Sequence, residues 1–356
     1  MDQRSRAIVA SVGIVAIFLV VQVGALALVE PFKDAGYQPV EDPDDPANSL
    51  VYVAAVLVIT AILLAAVKLD FDRVLRGFIV FAGAYISLYV FQIGVPAVDG
   101  LPSVAGFHLL AWLAAAGLGL AVWFHPEWYV IDAAGIVMGI GAAGLFGITF
   151  GIFPAILLLV ALAVYDAISV YGTEHMLALA SGVMDMRVPI VLVVPLRLTY
   201  SYLEDGGPDP LADEGAEDES RADAGDSPDV DEEGEAADDG PEGTGDDEPE
   251  SPLDREALFI GLGDAIIPAV LVASAGFFLE GVPTVAIPGL ATPTLPAVTA
   301  MGGTLVGLAI LLRMVLAGRA HAGLPLLNGG AILGYLVGAL ASGLTLAQAL
   351  GVATFL

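Results

Sequence analysis

Nine stretches of this chain are apolar for long enough to cross bilayer hydrocarbon as helix, which takes roughly 20 residues each. They run Ala7 to Val29, Leu50 to Val67, Val74 to Val95, Val104 to Phe124, Tyr129 to Phe150, Phe153 to Tyr171, Ala257 to Phe278, Ala297 to Ala317 and Leu326 to Ala347. In lipid every backbone N–H and C=O needs an internal partner. The pattern therefore predicts an all-α, polytopic membrane protein of nine transmembrane helices. The apolar run from Tyr129 to Tyr171 is unbroken, and only Gly147, Gly151 and Pro154 divide it into spans five and six. Arg4 and Arg6 ahead of the first run, and Ala25-Leu26-Ala27 inside it, imitate a secretory signal. Its apolar core exceeds the usual ~7 to 15 residues, so it reads as a span.

Charge is segregated from this apolar mass. The chain has a formal net charge of −29, with 41 Asp+Glu against 12 Lys+Arg. Of these, 24 acids and only Arg221 and Arg255 fall between Glu204 and Glu256, giving that segment −22. Without aromatics and almost without apolar side chains, it cannot bury enough surface to offset chain entropy. It is expected to be a disordered acidic loop, a solvated linker rather than a docking tail. The organisation that follows is 1–203 as an N-terminal transmembrane part with spans one to six, 204–256 as the loop, and 257–356 as a C-terminal transmembrane part with spans seven to nine. Nucleic acid is excluded as a partner by the charge. The absence of cysteine excludes disulfides, thiolate nucleophiles and zinc-thiolate sites. Two Lys against ten Arg, beside so acidic a segment, point to a salt-loving organism.

Nine alternating spans with a cytoplasmic N-terminus place Arg4, Arg6, Lys68, Arg73, Arg76, Arg187, Arg197, Arg221, Arg255, Arg313 and Arg319 at the inner side. Lys33 alone lies outside. The expected location is thus the cell membrane, multi-pass, with the N-terminus and the 204–256 loop cytoplasmic and the C-terminus outside.

Ionisable residues within spans are costly, about 2.5 to 3.5 kcal/mol at mid-bilayer, and mark function by default. Two stand out, Asp166 in span six and Asp264 in span seven. Counted from the inner ends at the helical rise they lie ~7 and ~10 Å deep. Antiparallel neighbours would bring them to one level. Two carboxylates facing each other at low dielectric tend to share one proton and titrate as a unit, which is what an aspartic protease requires. The ionised member takes a proton from water while the protonated one hydrogen-bonds the scissile carbonyl. The structural alternative is that each Asp caps or bridges helices.

The neighbouring residues favour chemistry. Asp166 follows Tyr165, Asp264 closes Gly261-Leu262-Gly263-Asp264, and Pro325-Leu326-Leu327 begins span nine, where a proline removes a backbone donor at membrane depth. In this order, on spans six, seven and nine, these motifs resemble the presenilin and signal-peptide-peptidase family of intramembrane aspartyl proteases, closest to archaeal presenilin-like members. The resemblance covers the C-terminal two-thirds and includes Met176-Leu177, Arg187-Val188-Pro189, the apolar Ile190 to Leu196, and Gly261 to Val272. It implies a presenilin-like fold, an endopeptidase acting within transmembrane segments, Asp166 and Asp264 as its catalytic aspartates, and Tyr165, Gly261, Leu262, Gly263, Pro325, Leu326 and Leu327 as substrate-binding residues. The family's Pro-Ala-Leu motif departs here, with Leu326 in the alanine position and Asn328 following.

The partners implied are transmembrane helical substrates, outside at their N-termini, and the lipid bilayer; no metal or cofactor is called for, and self-association into a homo-oligomer stays open. The segment Pro189 to Val194 reads as a strand, too short to span, which by the same resemblance pairs with an unwound substrate. His108 and Asp132 read as helix-bridging or interfacial, and Glu174, His175 and Asp185 as solvated. His125 and His321 lie at span ends, and no cluster has metal-ligand spacing. The alternative from another class is a proton- or cation-coupled transporter using the paired carboxylates. Against it, no internal repeat and no second broken span is visible. A prepilin-peptidase-like enzyme shares Gly-x-Gly-Asp but accounts for neither nine spans nor the companion motifs.

Overall fold

Buried residues on the first helix, α1 (Gln3–Asp34), recur at Ala7, Ala10, Ile14, Phe18, Val21, Ala25, Val29 and Phe32. That three-to-four spacing is one helical face turned into a bundle. The computed structural model describes residues 3–69, 71–98, 100–172, 188–197, 200, 201, 203, 257–286, 292–317 and 322–353. After α1 come α2 (Ala47–Lys68), α3 (Asp72–Gly94), a small hairpin β1 (Ser103–Val104) and β2 (Phe107–His108), then α4 (Leu109–Phe124), α5 (Trp128–Thr149) and α6 (Ile152–Gly172). A second hairpin of distant parts pairs β3 (Val191–Pro195) with β4 (Ala257–Gly261), followed by α7 (Leu262–Phe278), α8 (Leu295–Val315), α9 (Gly323–Ala341) and a last turn α10 (Leu346–Ala349). The acidic 204–256 segment, Glu174, His175, Asp185, Arg187, Arg319 and His321 lie outside the described residues.

Among the described residues seven helices are long and apolar enough to cross a membrane, and α4 and α7 are apolar but shorter. Both shortenings correct the expected span boundaries, and each has a local cause. Span four is expected from Val104, yet Ala105 and Gly106 have positive φ and close the β1–β2 hairpin. Positive φ at both central residues is the conformation of the turn that suits a hairpin's twist. His108 then caps α4, its Nδ1 accepting the Ala111 N–H at 3.0 Å. Span seven is expected from Ala257, but Ala257–Gly261 forms β4 and the helix starts at Leu262. The break between spans five and six falls at Phe150 and Gly151. There the Gly151 N–H donates to the Pro43 carbonyl at 2.8 Å, and a side chain at Gly151 would run into the Asp44 carboxylate.

The centre of the bundle is α7, where Leu262, Ala265 and the whole run Ile267 to Ala275 are buried. It packs against α5, whose glycines permit the approach. A Cβ at Gly147 would collide with Ala273, and one at Gly144 would lie 3.0 Å from the Phe32 ring of α1. In lipid no hydrophobic drive pulls helices together, and close packing over small residues takes its place. The tightest such seam joins α8 to α9, where Gly303 and Gly307 lie against Gly330 and Gly334, and Gly338 against Leu295, Pro296 and Thr299.

This seam makes a paired prediction. A Cβ on Gly330 would meet the Gly303 carbonyl, whereas nothing lies within 4 Å of one on Gly329. Gly330→Ala is expected to cost roughly 1–3 kcal/mol by overpacking. It lowers the thermal unfolding midpoint in detergent, while Gly329→Ala leaves it in place. Equal midpoints for the two variants would contradict the seam.

Candidate active site

The sheet sets up the site. β3 and β4 pair antiparallel in the register Val191 to Gly261, Val193 to Phe259 and Pro195 to Ala257. The expected strand at Pro189 to Val194 is therefore present, one or two residues later. Its partner within the chain is β4, which reads in the sequence as helix. The Leu262 N–H donates to the Ile190 carbonyl at 2.7 Å, so the sheet hands over directly to α7. Gly261 is the N-cap and Asp264 the third residue of that helix. The unpaired first-turn N–H groups and the helix dipole favour a carboxylate there. Pro268 removes the i to i−4 bond that would have closed on the Asp264 carbonyl. A depth for Asp264 counted at helical rise from Ala257 no longer applies, because five of those residues are extended.

Asp166 lies on α6, six residues before its end. Its Oδ2 accepts the Leu324 N–H at 3.0 Å. Asp264 approaches the preceding residue of the same segment, since a Cβ on Gly323 would lie 3.0 Å from Asp264 Oδ2. The first turn of α9 is thus touched by both carboxylates, which come from different helices. Four residues along α9 and seven back along α6, buried Asn328 donates to the Leu159 carbonyl at 2.9 Å. These two bonds hold α9 to α6. Asn328, at the point where the Pro-x-Leu stretch departs from the family pattern, is therefore a strut behind the site.

The other expected site residues divide by burial. Tyr165, Pro325 and Leu326 are half-buried, and Gly261 and Gly263 are exposed, with open space around the Cα of Gly263. Leu262 and Leu327 are core residues, Leu262 lying against Gly135 and Gly139 of α5. Gly323, Leu324 and Asn328 carry no site role expected from the sequence. A proline at the third position of a helix was the available hint, because the N–H groups just before it have no intrahelical acceptor. Among the described residues no three His, Cys, Asp or Glu side chains could hold a metal ion. His108 caps α4 and reaches the Gln92 carbonyl of α3 through Nε2 at 3.2 Å, which bears out a bridging role. His125 sits 2.7 Å from the Tyr129 hydroxyl.

A family model described as signal-peptide peptidase, presenilin aspartyl protease matches residues 15–344. The chain belongs to this family. It is accordingly an intramembrane aspartyl protease, a multi-pass peptide hydrolase. Among solved structures it is similar to a presenilin family intramembrane aspartate protease in a C222 crystal form, at 30% identity and a TM-score of 0.58, covering 93% of this chain and 99% of that one. A P2 crystal form matches at 29% identity and a TM-score of 0.54, over 92% and 97%. No curated protein matches. The match begins well before the C-terminal two-thirds on which the motif resemblance rests.

Proposed function

We propose that this protease hydrolyses peptide bonds inside transmembrane segments with Asp166 and Asp264 as its water-activating pair. The observation that carries the proposal is the convergence of both carboxylates on Gly323-Leu324. One carboxylate removes a proton from water as the oxygen attacks the scissile carbonyl carbon, and the other, protonated, donates to the carbonyl oxygen. The tetrahedral diol then collapses as the amide nitrogen takes up a proton and leaves. Preorganisation is supplied by the chain itself: Asp264 sits in the first turn of α7, at the positive end of the helix dipole, and the Leu324 N–H orients Asp166.

The substrates are single-span proteins with outer N-termini, and the enzyme sits with its own N-terminus and the 204–256 loop in the cytoplasm, following the cation distribution. A helical peptide bond is shielded, so the substrate must unwind. Its freed backbone groups then need partners in lipid. The β3–β4 sheet ends at exposed Gly261, three residues from Asp264, and extends there by strand addition. Tyr165, Gly263, Pro325 and Leu326 line the adjoining groove.

The test is cleavage of a labelled single-span protein by the purified chain in liposomes at molar salt, in water enriched in oxygen-18. Two complementary fragments are expected, with one heavy oxygen in the new carboxylate and complete block by a diol-mimicking inhibitor. Intact substrate together with an ion flux through the same liposomes would overturn the proposal in favour of transport.

A further inference from the structure

Asp132 lies on α5, is 7% exposed, and takes no part in the chemistry above. Its Oδ1 accepts the Val193 N–H at 2.7 Å, joining residues 61 positions apart. In an antiparallel pair, residues alternately turn their N–H and C=O toward and away from the partner strand. The Leu262 to Ile190 bond sets the parity: Ile190, Leu192 and Val194 face β4, while Val191, Val193 and Pro195 face away. The carboxylate therefore occupies the outer edge of β3, the edge that β4 does not use.

The same face of α5 receives the sheet's side chains. Gly135 and Gly139 follow Asp132 at helical spacing; a Cβ at Gly135 would lie 3.2 Å from Leu192 Cδ2, and one at Gly139 would lie 3.5 Å from Leu262 Cδ1. Leu192 belongs to β3, and Leu262 opens the helix that carries Asp264. One helix face thus seats β3 and the start of α7 through two glycines and one acceptor.

We propose that Asp132 is a positioning residue that locks the register of the β3–β4 sheet on α5 and so fixes where a substrate is cut. The inference rests on the reading of Asp264 as catalytic. A one-residue slip of β3 would turn buried Val193 and Leu192 to the wrong faces. A two-residue slip keeps the faces, and the seat on α5, made by Asp132 together with Gly135, opposes it. Slipped one way, Pro195 arrives opposite the carboxylate with no N–H to offer, leaving a buried acceptor unsatisfied. Slipped the other way, Val191 takes the bond, but Leu192 leaves its seat on Gly135. Because β4 is paired to β3 and runs directly into Asp264, any slip of the sheet on α5 displaces this acid relative to Asp166 and the rest of the groove.

The experiment uses the full chain in lipid with a single-span substrate, reading kcat, KM and the cut positions by mass spectrometry. Asp132→Ala is expected to spread cleavage from the dominant bond to positions about two residues away and to lower kcat roughly 10-fold, as misplacement at a reacting centre does. KM should change less than about twofold, since the groove is intact. Asp132→Asn keeps a carbonyl acceptor and restores both cut positions and kcat. A wild-type cut pattern in Asp132→Ala, or an Asp132→Asn variant as dispersed as Asp132→Ala, overturns the proposal. Amide hydrogen exchange on the wild type needs no variant to fold: Val193 is expected to be protected well beyond Val191, and equal exchange overturns the lock. If Asp264→Asn still cuts, the catalytic reading falls, while the Val193 protection stands or falls separately.

Discussion

Asn in place of either Asp166 or Asp264 lowers cleavage by about 10³-fold or more, and both together lower it no further. Positioned acid–base groups each contribute roughly 10²–10⁴-fold, and residues that act as a unit lose nearly everything when one is removed. A pair sharing one proton is such a unit. Asn is nearly isosteric with Asp, so the geometry should persist. At position 166 the amide oxygen still accepts the Leu324 N–H, now at 3.0 Å from Asp166 Oδ2. At position 264, the third residue of α7, the amide keeps the size and polarity of the carboxylate it replaces. Loss of activity should therefore come without loss of fold, and thermal unfolding in detergent is expected to stay within a few degrees of wild type. Single-turnover cleavage of a labelled single-span substrate provides the rate. A single variant retaining a tenth of wild-type activity, or a double variant much slower than either single, would show that the two carboxylates do not work as one acid–base pair.

How far these features could be read without coordinates follows from the range of each interaction. Apolar length alone finds the helices within a few residues, because lipid forces the backbone to satisfy itself locally. The break at Phe150-Gly151 was legible from glycine and proline. The start of α7 was not: Ala257-Leu258-Phe259-Ile260 is an apolar run, and such a run reads equally as buried strand or helix. Only the pairing with Val191–Pro195, across a long acidic segment, decides it. Asp166 and Asp264 were visible because a carboxylate inside a span needs a reason. Leu324 was not, since its contribution is a main-chain N–H that almost every residue carries. Asp132 was visible as a polar residue, but its partner is a strand backbone 61 positions away, not another helix.

The first turn of α9 gives the second large effect, because Gly323 packs against the Asp264 carboxylate without itself reacting. A methyl group there would sit 3.0 Å from Asp264 Oδ2 and 3.4 Å from both Asp264 Cγ and Leu311 Cδ2. Alanine asks the carboxylate to retreat by a few tenths of an ångström, and a roughly 10-fold loss of kcat is expected. Valine adds two methyls and requires about 1 Å, a displacement that costs about 10²-fold when it moves a reacting group. The graded loss should appear in kcat more than in KM, since the groove that binds the substrate is left alone. Neither substitution breaks the helix: Gly323 is the first residue of α9 and its φ is not positive, so a side chain brings no backbone strain. Gly329→Ala, six residues on in open space, is the matched control for adding a methyl to the same helix. Steady-state cleavage across substrate concentration measures both constants. If Gly323→Val cuts at the wild-type rate, Asp264 does not face Gly323 in the working enzyme, and the convergence of the two acids on α9 is not the geometry that cleaves.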